Sequence, residues 1–217
     1  MNLDLSNLPK INGKGLALDI DETLSRTGRA WASEFYRTFT NPEGVTEEEY
    51  YNKYYANSIL PEWFTQEMHA WVEERRCSSE YQKTLPLIEG AIETVKKIQD
   101  IVPITAYITA RPTSTEQGTK AWLDIHGFPK ASLITKPETI HWQDGPKWKA
   151  QVLEHLYPSV VGIVDDNPSM LQYLSHEYQG QVFVFDHEEA DLHPQAQTCA
   201  HWDMVYMQIQ RHFGGLA

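Results

Sequence analysis

Basic residues are scarce: 18 Lys and Arg stand against 30 Asp and Glu, giving a formal charge of −12 over 217 residues. Nucleic-acid backbones and anionic lipids are held by clustered cations, so an extended nucleic-acid surface is excluded and only a local basic pocket stays open. Cysteine is scarcer still. Cys77 and Cys199 alone cannot build a disulfide framework, which fits a reducing compartment. No apolar run approaches membrane-spanning length, and Met1 to Lys10 lack an apolar signal core. The expectation is a soluble, cytoplasmic protein with no membrane partner. Neither an internal repeat nor a low-complexity tract is present, and the spacing of His187, His193, Cys199 and His201 matches no tight pair of zinc ligands.

What is present is organised around Leu16-Ala17-Leu18-Asp19-Ile20-Asp21-Glu22-Thr23-Leu24. A short apolar run without helical period, entered through Gly13 and Gly15, reads as a buried central strand. It ends in two carboxylates one residue apart. In an extended strand Asp19 and Asp21 share a face, because side chains alternate. Like charges so placed repel unless a cation or a shared proton intervenes, so a metal-assisted site is the first hypothesis.

From Ser25 to Leu85 the chain is rich in Glu and aromatics, with helical spacing in Arg29 to Phe39, Thr46 to Ala56 and Glu62 to Arg76. Pro61 suits the first turn of the third of these helices, and Asn41-Pro42-Glu43-Gly44 reads as a turn. Helices alternate with strands from Pro86 onward. Helices are expected over Ala91 to Ile101, Ser114 to His126, Trp148 to Leu156, Ser169 to Glu177 and Trp202 to His212. Strands are expected over Ile104 to Ile108, Leu133 to Thr135, Val160 to Val164 and Val182 to Phe185. Such alternation predicts an α/β fold, a doubly wound parallel sheet with crossover helices on both faces. Residues 1–24 and 86–217 then form a discontinuous core domain, and 25–85 an inserted helical subdomain. Packing of that subdomain accounts for its aromatic residues, although base stacking is the alternative.

The predicted strands end in reactive residues: Asp19 and Asp21, then Thr109-Ala110-Arg111-Pro112, then Asp165-Asp166-Asn167-Pro168. In a doubly wound sheet these ends share one edge. Several carboxylates beside backbone carbonyl and water oxygens suit a hard divalent cation, most naturally Mg²⁺.

In order, Asp19-Ile20-Asp21-Glu22-Thr23-Leu24, Ile108-Thr109-Ala110-Arg111-Pro112, a lysine near the start of a helix at 149, and Val164-Asp165-Asp166-Asn167-Pro168 resemble the four motifs of the haloacid dehalogenase (HAD) superfamily of phosphohydrolases. The resemblance covers about residues 10–24 and 86–190 and implies a Rossmann-like core. Residues 25–85 resemble that family's first class of inserted helical cap. It further implies Asp19 as nucleophile, forming an aspartyl-phosphate, and Asp21 as acid and base with its backbone carbonyl on the metal. Thr109 and the N–H of Ala110 would bind the phosphoryl oxygens, and Lys149 would neutralise charge. Asp165 and Asp166 would complete the Mg²⁺ site with Asp19 and Asp21, one directly and the other through water. Lys147 also stands near the helix start, but the register favours Lys149; Lys136 follows a strand and fits less well. Arg111 either reaches a substrate phosphate or braces the acidic edge. The implied activity is Mg²⁺-dependent hydrolysis of a small phosphomonoester, a nucleotide or another phosphorylated metabolite. Phosphoryl transfer to another acceptor, dephosphorylation of a nucleic-acid end and a non-catalytic binding role are the alternatives.

Overall fold

The computed structural model describes residues 5, 8–55, 59–188 and 193–215. Six parallel strands form one sheet: β1 (Gly15–Leu18), β2 (Ile104–Pro112), β3 (Ser132–Lys136), β4 (Val160–Asp165), β5 (Gln181–Phe185) and β6 (Ala196–Cys199), in the order β3-β2-β1-β4-β5-β6. β1 sits between β2 and β4, where the strand order reverses, and such a switch point opens a crevice at the strands' carboxyl ends. All four β1 residues are buried, as a strand covered on both faces requires. Helices α5 (Ala91–Gln99), α6 (Glu116–Ile125) and α8 (Trp202–Phe213) bury Val95, Ile98, Trp122, Val205 and Ile209 against one face. The other face is covered by α7 (Gly145–Leu156), through Trp148, Val152 and Leu153, and by a 3₁₀ helix over Pro168–Tyr173.

Between β1 and α5 lie four helices, α1 (Thr27–Thr38), α2 (Glu47–Tyr50), α3 (Gln66–Cys77) and α4 (Ser79–Gln82), with a π-helical turn, Tyr51–Tyr55, continuing α2. They enclose a separate apolar cluster around Phe35, whose ring lies within 4.8–6.3 Å of those of Phe39, Tyr50, Trp63, Phe64 and Trp71. These aromatics are therefore largely engaged with one another. Glu43 ties the tip of the block together, accepting from Lys53 Nζ at 2.6 Å, Trp63 Nε1 at 2.9 Å and the Tyr54 hydroxyl.

Several local expectations are corrected. The first strand ends at Leu18, although the Asp19 N–H still donates to the Val164 carbonyl at 2.9 Å, and a turn follows over Glu22 to Leu24, with Glu22 at φ +56°. Pro61 precedes α3 instead of opening it; Thr65 caps that helix by accepting from Met68 N at 3.3 Å. α7 starts at Gly145, three residues before the expected Trp148, with Pro146 in its first turn. The helix expected over Ser169 to Glu177 shrinks to the 3₁₀ helix, which ends before Leu174 turns extended. β6 and α4 were not anticipated. The expected helix end at Ala56 lies outside the described residues.

Candidate active site

Strand register brings the first acidic pair together. Leu18 on β1 is paired with Val164 on β4, so Asp19 and Asp165, each one residue further on, emerge side by side. Asp19, Asp165 and Asp166 each offer a carboxylate oxygen within 4.8 Å of the others. Lys149 reaches this cluster from the second turn of α7, with Nζ 2.6 Å from Asp165 Oδ2 and 2.9 Å from Asp19 Oδ1. It occupies the helix's buried stripe with Trp148, Val152, Leu153 and Leu156, a place where an apolar residue is the rule. Lys147 is exposed. Lys136 is buried at the end of β3, and its Nζ donates to the carbonyls of Ile140 at 2.5 Å and Pro137 at 3.4 Å.

The electrostatics leave this cluster short of positive charge. Burial, opposed by Lys149 and reinforced by Asp165 and Asp21, pushes the Asp19 carboxyl up to about 7. Asp166 is pushed well above the usual carboxylate range by burial and by the neighbouring Asp19 and Asp165. Burial opposes the charge on Lys149, but Asp165 and Asp19 outweigh it and hold its ammonium more firmly than usual. With all three carboxylates ionised, the one ammonium would leave two negative charges, which a divalent cation would balance, displacing the protons that burial keeps on Asp19 and Asp166. The oxygen-only donor set fits a hard ion.

Asp21 points elsewhere. Its carboxylate takes Arg111 Nη2 at 2.7 Å and Arg111 Nε at 3.0 Å, and accepts from the Thr27 hydroxyl at 2.5 Å. Burial pushes this carboxyl up, yet the Arg111 guanidinium and the Thr27 hydroxyl together hold it below the usual range. The Asp21 carboxylate is thus drawn to Arg111 and Thr27 and is not part of the cluster of Asp19, Asp165 and Asp166. Arg111 itself is buried and also donates to Thr119 Oγ1 at 3.3 Å. Thr109, fully buried on β2, accepts from the Arg111 backbone N–H at 3.2 Å. Ala110 lies beside a cavity that also borders Lys149 and Asp165.

Other residues shape the site without having stood out as candidates. Thr23 accepts from Asp166 N at 3.1 Å and donates to Asp166 Oδ1 at 3.3 Å; it lay inside the first motif, where its partner could not be read. From the helical block, the Tyr51 hydroxyl donates to Glu22 Oε2 at 3.2 Å. Tyr55 is half-buried near Glu22, Asp21 and Asp166, and its phenol is pushed well up by desolvation and these carboxylates. A π-helical turn thus closes over the turn after β1, a location where such turns recur at functional sites.

A family model described as PITM 1-3, LNS2 domain, matches residues 74–164, less than half of the chain and short of both acidic pairs. Curated protein sequences give no match. Among solved structures, a HAD-superfamily hydrolase, subfamily IA, variant 1, from Geobacter sulfurreducens is similar at 16% identity and TM-score 0.55, over 91% of this chain and 96% of that one. A HAD-superfamily hydrolase from Ehrlichia chaffeensis has 14% identity and TM-score 0.49, over 94% of this chain and 98% of that one. The fold is that of the HAD-superfamily hydrolases.

Proposed function

We propose that this protein is a phosphomonoester hydrolase that works through an aspartyl-phosphate on Asp19 and requires Mg²⁺. The observation that carries the reading is the Lys149 ammonium joining Asp19 to Asp165, with Asp166 in the same cluster. A divalent ion held by Asp19, Asp165 and Asp166, with the Asp21 backbone carbonyl as a further ligand, would supply charge neutralisation for the phosphoryl oxygens. Asp19 attacks phosphorus, forming an Asp19 O–P bond as the ester P–O bond breaks. The leaving oxygen takes a proton from Asp21, which Arg111 holds ionised in the resting arrangement and which must therefore turn from that pair and take up a proton first. Water then attacks the phospho-enzyme while Asp21 takes its proton, and the Asp19 O–P bond breaks to release inorganic phosphate. One acid/base serves both halves. Thr109 Oγ1 and the Ala110 N–H hold the phosphoryl oxygens, and Lys149 offsets their developing charge.

In this reading residues 25–85 are a cap on the core formed by 1–24 and 86–217, and its closure over the site favours a small substrate. The test is hydrolysis of p-nitrophenyl phosphate. Wild-type protein should release phosphate only with Mg²⁺, and Asp19→Asn should lower turnover by at least about 10³-fold while leaving the fold intact. Full activity in that variant would remove Asp19 as the nucleophile.

A further inference from the structure

A cavity of about 360 Å³ opens beside the acidic cluster, between the loop after β3, the start of α7 and the turn after β4. Ala110 and the buried Lys149 and Asp165 are among its lining residues, so it borders the place where phosphorus would sit. The volume lies near the lower end of the roughly 300–1,000 Å³ usual for small-molecule sites. Trp142, 47% exposed, stands at the outer end, with Met170 beneath as apolar wall and the exposed Gln143 and Asn167 as polar rim. A lone exposed tryptophan is ordinary. This one differs in its position: it lines a recess that Lys149 and Asp165 also line, and a pinned turn carries it. That turn is the 3₁₀ helix Trp142–Asp144, capped by His141 Nδ1 accepting from Gln143 N at 3.4 Å.

Two observations narrow what the recess takes. The aromatic rings of the helical block are packed around Phe35, whereas Trp142 meets only the His141 ring among the described residues, at 5.6 Å. The half-exposed indole, with no other ring partner among the described residues, is therefore available to a flat ring. The second observation is charge. Among the described residues Lys149 is the only cation lining the cavity, and it is committed to Asp19 and Asp165. A second phosphate or other anionic group would have no partner there.

We propose that Trp142 is the platform for the leaving group. The substrate class is the monophosphate ester of a neutral alcohol that carries a flat ring, chemistry shared by nucleoside monophosphates and aryl phosphates. The inference rests on the phosphohydrolase reading above. Its test compares kcat/KM with Mg²⁺ for adenosine and uridine monophosphates, phenyl phosphate, ribose 5-phosphate and fructose 1,6-bisphosphate, using wild type, Trp142→Ala and Trp142→Phe. Wild type should prefer the ring-bearing monophosphates. Trp142→Ala should lower kcat/KM for these by roughly tenfold, mainly through KM, in line with losses on truncating a stacking partner. Trp142→Phe should retain most of it, and ribose 5-phosphate should be indifferent to both changes. Nucleotides ahead of phenyl phosphate would identify the ring as a nucleobase, and the reverse order an aryl group. Preference for ribose 5-phosphate or the bisphosphate, or an equal loss on every substrate in Trp142→Ala, would overturn the assignment while leaving the hydrolase reading intact. No turnover of any ester would instead overturn the hydrolase reading. Calorimetric binding of adenosine monophosphate and phenyl phosphate to Asp19→Asn protein still decides the recess: binding weakened roughly tenfold by the added Trp142→Ala supports it, and unchanged or absent binding refutes it.

Discussion

At Asp19, proton and cation compete for the same oxygens. Burial holds its carboxyl at about 7, above the ordinary 3.8. The metal-free folded state therefore keeps a proton that the unfolded chain has released. Its contribution to stability is fully present below about 4 and is lost as pH rises through about 7. Metal binding must expel that proton and the one that Asp166 also retains, so apparent Mg²⁺ affinity should rise by at least about tenfold per pH unit below 7. Calorimetric titrations from acid to alkaline pH check this; a flat profile would contradict it. Arg111 supports a second prediction. Arg111→Met leaves the Asp21 carboxylate without its guanidinium and should destabilise by about 3 kcal/mol, the low end for a broken buried pair because Asp21 is partly exposed. Adding Asp21→Asn should restore part of that loss in denaturant unfolding. The Asp21–Arg111 pairing spans ninety positions, which is why sequence alone could not show that the Asp21 carboxylate is drawn away from the cluster.

Elements were legible where burial alone determines them. Leu16-Ala17-Leu18 and Val160 to Val164 read as strands because covered strands are apolar throughout. β6, Ala196-Gln197-Thr198-Cys199, lies at the sheet edge with three half-buried residues, so it carries neither a continuous apolar run nor a clear alternation. Lys149 was readable because a charged residue interrupts an otherwise apolar stripe on α7. Trp142 was not, since nothing in a loop sequence reports the cavity beside it. The helical block's own cluster centres on Phe35. Phe35→Ala should cost about 3–5 kcal/mol there, the usual range for truncating a buried aromatic. Hydrogen exchange should show the loss concentrated in α1 and α3, with the sheet strands retaining their protection; uniform loss across the sheet would show that the two clusters unfold as one.

For the whole molecule, the acidic cluster at the end of β1 and β4 makes metal binding a source of stability. At about 100 times its Kd, Mg²⁺ should add about 2.7 kcal/mol, a Tm rise of roughly 5–10 °C that a chelator reverses. Differential scanning calorimetry with and without EDTA measures it. No helix among the described residues is long and apolar enough to cross a membrane. The strand order was foreseeable only as a class, doubly wound and parallel, because alternation of elements does not say which strand becomes central. That β1 is central has a consequence for synthesis. A ribosome makes β1 before either of its partners, and at about 5–20 residues per second the second of them, β4, follows only after roughly 7–30 s. Throughout that interval Leu16 and Leu18 lack half their eventual shelter, so the nascent chain is the state in which chaperones would have the most to hold.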